Sequence, residues 1–130
     1  VVAGARFAGA NLSESELQDC DLGEAHPDFS GVRLTGTVMS AVSMDGFSFL
    51  EALLNSVDFS KALIKGTVFR AVDMTRCCMD GAVLEGVDLS SSVLTGASLR
   101  GATLTGCAVN GANLDGADLS GAVVLRCDLA

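Results

Sequence analysis

An all-β fold is predicted for this chain, a solenoid of stacked parallel coils with five-residue sides, and three features predict it. Large apolar residues recur every fifth position, small residues stand two places before them, and glycine stands most often two places after them. A period of five fits neither the helix, at about 3.6 residues per turn, nor the strand, at 2. It fits one side of a polygon, on which one large and one small residue point inward and the rest face water. One side cannot bury its apolar residue alone, so coils must stack and pair along the rod.

The large residues, position i, begin with Val2, Phe7, Leu12, Leu17 and Leu22. After a slip of two residues they resume at Phe29, Leu34, Met39 and Met44 and continue every five to Leu129. All 26 centres are apolar in a chain that is 49% hydrophobic, which rules out coincidence. Position i−2 holds Ala, Cys, Ser, Thr or Val in 23 of 25 cases, the exceptions being Pro27 and Phe47. Position i+2 is Gly in 14 of 25, as expected at a corner where φ leaves the β region. Positions i−1 and i+1 carry most of the Asp, Asn, Ser, Thr and Arg.

Ala-Asn-Leu-Ser-Glu at 10–14, Ala-Asn-Leu-Asp-Gly at 112–116 and Ala-Asp-Leu-Ser-Gly at 117–121 match the pattern A(D/N)LXX. Over essentially its whole length the chain resembles the pentapeptide-repeat family. The resemblance implies a right-handed quadrilateral parallel β-helix with four units, or 20 residues, per coil, and so about 6.5 coils in a single domain spanning 1–130. The coil length can be tested within the sequence. Taking every fourth centre gives the column Phe7, Phe29, Phe49, Phe69, Leu89, Val109, Leu129. Four rings then form a core stack on consecutive coils, at about 4.8 Å spacing. Phe7 joins that column only if the slip is a two-residue corner insertion near 23–27, the stretch Gly23, Glu24, Ala25, His26, Pro27.

Composition limits the function. A net charge of −8 is wrong for direct nucleic-acid binding, which needs clustered Lys and Arg. No apolar run reaches the roughly 18 residues of a membrane span, and no leader is legible, so neither membrane nor compartment is indicated. Val1 in place of Met reads as a fragment or a processed form. His26 is the single histidine, and no base converges on a Ser or Cys nucleophile. The glycines turn corners and form no phosphate loop. Neither an enzyme nor a cofactor is expected.

Five cysteines, with no CxxC pair, suggest neither a zinc site nor a disulfide framework. Cys20, Cys77, Cys107 and Cys127 fill i−2 slots as Ala-sized hydrophobes. Cys107 and Cys127 should stack on adjacent coils, within disulfide reach but with parallel Cβ vectors that favour two reduced thiols. Cys78, at i−1, is expected to be the exposed thiol open to modification.

Two surfaces are candidates for contact. Leu63, Val83, Thr103 and Val123 fall 20 residues apart at i−1, with Leu125 beside them at i+1, making an apolar interaction stripe where water is expected. Leu50, Leu53 and Val68 add apolar surface near mid-rod. Glu14, Glu16, Asp19, Asp21, Glu24 and Asp28 make an acidic end around the first coil. The expected role is a non-enzymatic, rigid protein–protein interaction surface or structural scaffold. Its partner is a protein of unspecified identity, a second copy included, through the C-terminal coil or an apolar face. The family resemblance supplies an alternative, since some members imitate DNA and protect DNA gyrase, a type II topoisomerase, from quinolones. The acidic rod is compatible with that role, although its carboxylates do not form ladders.

Overall fold

The computed structural model describes residues 7–22 and 28–130. They form a right-handed quadrilateral β-helix whose four walls take their inward residues from successive units. Wall A is centred on Phe29, Phe49, Phe69, Leu89 and Val109. Wall B follows with Leu34 to Leu114, wall C with Met39 to Leu119, and wall D with Met44 to Val124, each in steps of 20.

One unit accounts for all five of its N–H groups, and this explains the repeat. In Val57–Lys61 the Val57 N–H donates to the Leu54 carbonyl at 3.2 Å and closes the corner. Asp58 N–H reaches back to Thr37 O at 3.0 Å, while Phe59 and Lys61 N–H reach forward to Cys78 O at 2.7 Å and Asp80 O at 2.8 Å. The Ser60 N–H would be orphaned, and the Asp58 carboxylate accepts it at 2.8 Å. The same side-chain acceptor recurs at Asn11, Asp28, Asp73, Asp88, Asn113, Asp118 and Asp128. Asp or Asn before the central residue therefore supplies the acceptor the backbone lacks.

Corners obey one rule. Every described i+2 residue has φ between 53° and 71°, at thirteen glycines and at ten other residues, among them Glu51, Lys61, Ala71 and Arg76. The glycine preference is the steric expression of this left-handed corner.

Wall D alone is a continuous sheet. Its strands are β1 (Ser43–Asp45), β2 (Leu63–Lys65), β3 (Val83–Glu85), β4 (Thr103–Thr105) and β5 (Val123–Leu125), parallel and in sequential order. On the other walls pairing consists of isolated parallel bridges, such as Arg33 with Leu53 and Asp58 with Cys78. The regular sheet spans four turns, fewer than the about 6.5 coils counted from the repeat. Before Ser43 the ladders thin to single bridges, and part of the first coil lies outside the described residues.

Pairings that span the slip, such as Asn11 with Arg33 and Asp21 with Ser43, are 22 residues apart. Those after it, such as Arg33 with Leu53, are 20 apart. The stretch 23–27 itself, with the expected insertion, lies outside the described residues. Across it the rings of Phe7 and Phe29 stack at 4.9 Å, followed by Phe29 on Phe49 at 5.3 Å and Phe49 on Phe69 at 5.0 Å. Phe47, oversized for an i−2 slot, is buried and lies 5.6 Å from Phe29 as a side branch of the column.

Candidate interaction surfaces

Wall D brings the apolar stripe together. Leu63 pairs with Val83, Val83 with Thr103, and Thr103 with Val123. Leu63 is 38% exposed, Val123 46% and Leu125 50%, whereas Val83 and Thr103 are half-buried. A second outward column runs alongside as Asp45, Lys65, Glu85, Thr105 and Leu125. Within it Lys65 Nζ lies 3.6 Å from Glu85 Oε2, both side chains about half exposed. The other apolar additions lie elsewhere: Leu50 and Leu53 are exposed on walls A and B, and Val68 is half-buried on wall A.

This wall forms strands for a local reason. Corners after walls A, B and C are closed by an i+3 N–H to the carbonyl of i, as in Ala52 to Phe49 and Ala82 to Met79. Among the described residues no such bond closes the corner after wall D, so the strand runs straight through i+1. Among the described residues the slot behind this open corner holds Phe47, Thr67, Val87, Cys107 and Cys127. Thr67 Oγ1 donates to Lys65 O at 3.0 Å, and the thiols of Cys107 and Cys127 approach Thr105 O and Leu125 O in the same way.

The acidic end is exposed where described: Glu14, Glu16, Asp19, Asp21 and Asp28 all face solvent, and Glu24 lies outside the described residues. Glu14 and Asp19 are themselves corner residues, each with φ 61°. Asp28 Oδ1 accepts the Ser30 N–H at 2.9 Å. No Lys or Arg occurs between residues 7 and 32, so acids outnumber bases around this end.

The thiols offer little chemistry. All five are free. Burial pushes Cys77 up to about 12, and its sulfur donates to Leu54 O. Cys78 is half-buried, not exposed as expected from its i−1 position. Burial, with Asp80 and Asp58 nearby, raises its thiol and makes it a poor nucleophile at neutral pH. Burial likewise raises Cys107, with Cys127 against it.

Among the described residues no group of His, Cys, Asp and Glu could hold a metal ion, and no helix is long and apolar enough to cross a membrane. A cavity of about 110 Å³ at the lower end is lined by Phe7, Leu12, Leu17, Cys20, Leu22 and Phe29, without polar surface.

The family model described as pentapeptide repeats, in eight copies, matches residues 2–26, 52–90, 67–106, 82–121 and 97–129. No curated protein matches the chain. Among solved structures, it is similar to a pentapeptide repeat protein from the Arabidopsis thaliana thylakoid lumen, with 21% identity and a TM-score of 0.56, over 89% of this chain and 66% of that one. It is also similar to QnrB1, a plasmid-mediated fluoroquinolone resistance protein, with 15% identity and a TM-score of 0.51, over 95% and 88% of the two chains. At these identities the likeness is one of fold.

Proposed function

Since the chain belongs to the pentapeptide-repeat family, we propose that it acts without catalysis, as a rigid rod that presents a wall for contact with another protein. The observation that supports this reading is wall D. Among the described residues it is the one continuous sheet, and it carries Leu63, Val83, Val123 and Leu125 in register. A completed core has no need of exposed aliphatic side chains, so a stacked row of them is best explained by a contact. Rigidity suits this use, because a preformed surface loses little conformational entropy on binding. The test is the double variant Val83→Asp plus Val123→Asp. It should keep the circular dichroism of the rod and lose the complexes that native gel filtration resolves for the parent chain. A variant that keeps every complex would remove wall D as the contact surface.

A second reading rests on the acidic lower end. Glu14, Glu16, Asp19, Asp21 and Asp28 face solvent around the first coil, and carboxylates on a rod can stand in for the phosphates of duplex DNA. This would direct the protein to a type II topoisomerase such as DNA gyrase. A supercoiling assay with purified gyrase, with and without a fluoroquinolone, decides it: no change in activity or drug sensitivity at micromolar protein removes the reading.

A further inference from the structure

We infer that wall D is covered by wall D of a second copy, the two rods lying side by side and antiparallel; this rests on the reading of that wall as the contact surface. The inference comes from the order of outward residues on each wall. A two-fold axis that runs along the strands, in the plane of contact, sets each residue against the one at mirrored height in the same column. With the axis midway between β2 and β3, Leu63 faces the partner's Val83, and Lys65 faces the partner's Glu85. One step outward, Ser43 faces Thr103 of the partner subunit and Asp45 faces Thr105 of the partner subunit. Aliphatic meets aliphatic, cation meets anion, hydroxyl meets hydroxyl, and a carboxylate meets a hydroxyl donor. The outermost pair, Asp21 against Val123, is mismatched and lies at the rim where water reaches the carboxylate, and the position opposite Leu125 lies outside the described residues.

The same operation gives poorer matches in the i−1 columns of the other walls. On wall B it sets Leu53 against Asp73 and Arg33 against Val93. On wall C it sets Glu16 against Asp118, and on wall A Val68 against Asp88 and Asp28 against Asp128. At its two central steps wall D sets aliphatic against aliphatic and cation against anion, as a two-fold interface requires. At its centre the two Lys65–Glu85 pairs become a quartet of alternating charge, each already held at 3.6 Å within its own chain.

The contact is about 19 Å tall, four steps of about 4.8 Å, and one wall wide. It buries less than the roughly 1,200–2,000 Å² of a stable complex, so the pair should be weak and sensitive to salt.

Sedimentation velocity tests this over about 5 to 500 µM protein in low salt. The parent chain should pass from monomer to dimer, and about 0.5 M salt should shift it back. Lys65→Glu places acids at both crossing positions and Glu85→Lys places bases there, so each variant alone should stay monomeric. An equimolar mixture of the two should recover the dimer, because every crossing then joins an acid of one variant to a base of the other. Both side chains are on the surface, so circular dichroism should be unchanged in each. Leu129→Asp, at the upper end of the rod, should leave the dimer intact. A parent chain monomeric throughout, single variants that still dimerise, a mixture that does not recover, or a dimer lost with Leu129→Asp would each overturn the inference. A monomeric parent would not touch the contact-surface reading, which stands or falls with the Val83→Asp plus Val123→Asp variant.

Discussion

The lower and upper halves of the rod build the same coil from different materials. All six phenylalanines lie at or below Phe69, stacked or edge-on in the lower coils. Below Gly81 lie eight of the ten described non-glycine corners, from Glu14 to Arg76. From Gly81 upward the corners are glycine except at Ser91 and Arg126, and the centres are Leu or Val. A left-handed corner costs a non-glycine residue about 1–2 kcal/mol. Ring pairs return about 0.5–1.5 kcal/mol each beyond their burial, in the same coils. The corner geometry is thus imposed by the coil, and glycine relieves it without creating it.

The largest test breaks the rod where the halves meet. Leu89 is fully buried, and Leu89→Asp should remove more than about 4 kcal/mol and abolish the β signal in circular dichroism. Leu119→Asp, on a centre that is already exposed, should leave that signal in place. A folded Leu89→Asp protein would contradict the inward assignment of the centres.

Truncation sharpens the contrast between ring and aliphatic column. Phe49→Ala should cost about 4 kcal/mol in chemical denaturation, since it interrupts the stack on both sides, and Leu99→Ala about 3 kcal/mol. Equal losses would mean that stacking adds nothing to burial.

Corner exchanges are smaller and opposite in sign. Around Gly101 a Cβ would meet nothing within 4 Å, so Gly101→Ala isolates the backbone term and should lower stability by about 1 kcal/mol. Ala71→Gly, at φ 57°, should gain up to about 0.5 kcal/mol, the relief being partly offset by unfolded-chain entropy.

The smallest effect is electrostatic. Partial burial raises the Asp88 carboxyl, but the Ser90 hydroxyl and N–H and the Arg70 guanidinium outweigh it and hold it below the usual carboxylate range. A lowered folded value stabilises above the unfolded pKa of about 3.9 and is lost as pH falls through the folded value. Asp88→Asn should therefore melt lower than the parent at pH 7, by up to about 1 kcal/mol, and the gap should close below about pH 4.

Much of this architecture was legible because inward position and residue type coincide at every unit. The centres, the 20-residue column of rings and the row from Leu63 to Val123 all follow from counting. What could not be counted was conformation without a residue-type signature. Glu51, Lys61 and Arg76 occupy the left-handed corner although nothing in their chemistry asks for it. The half-burial of Cys78 depends on its neighbours along the rod, Asp58 and Ser98, rather than on its place in the unit. Of the candidate surfaces, the stripe was visible as a column, but the missing corner bond that lets its strands extend through i+1 has no residue-type signature.

The forward and backward hydrogen bonds between coils carry one more consequence, for length. Each coil receives its neighbours through the same set of donors and acceptors, so it is interchangeable with the next in a way that no half-coil is. Removing residues 61–80 would bring Gly81 directly after Ser60 with every wall still aligned and the rod one notch shorter. Removing ten residues would set wall A over wall C. Such a molecule measures distance in whole notches, as a ruler does, and gene-level gains or losses that the fold survives should come in twenties.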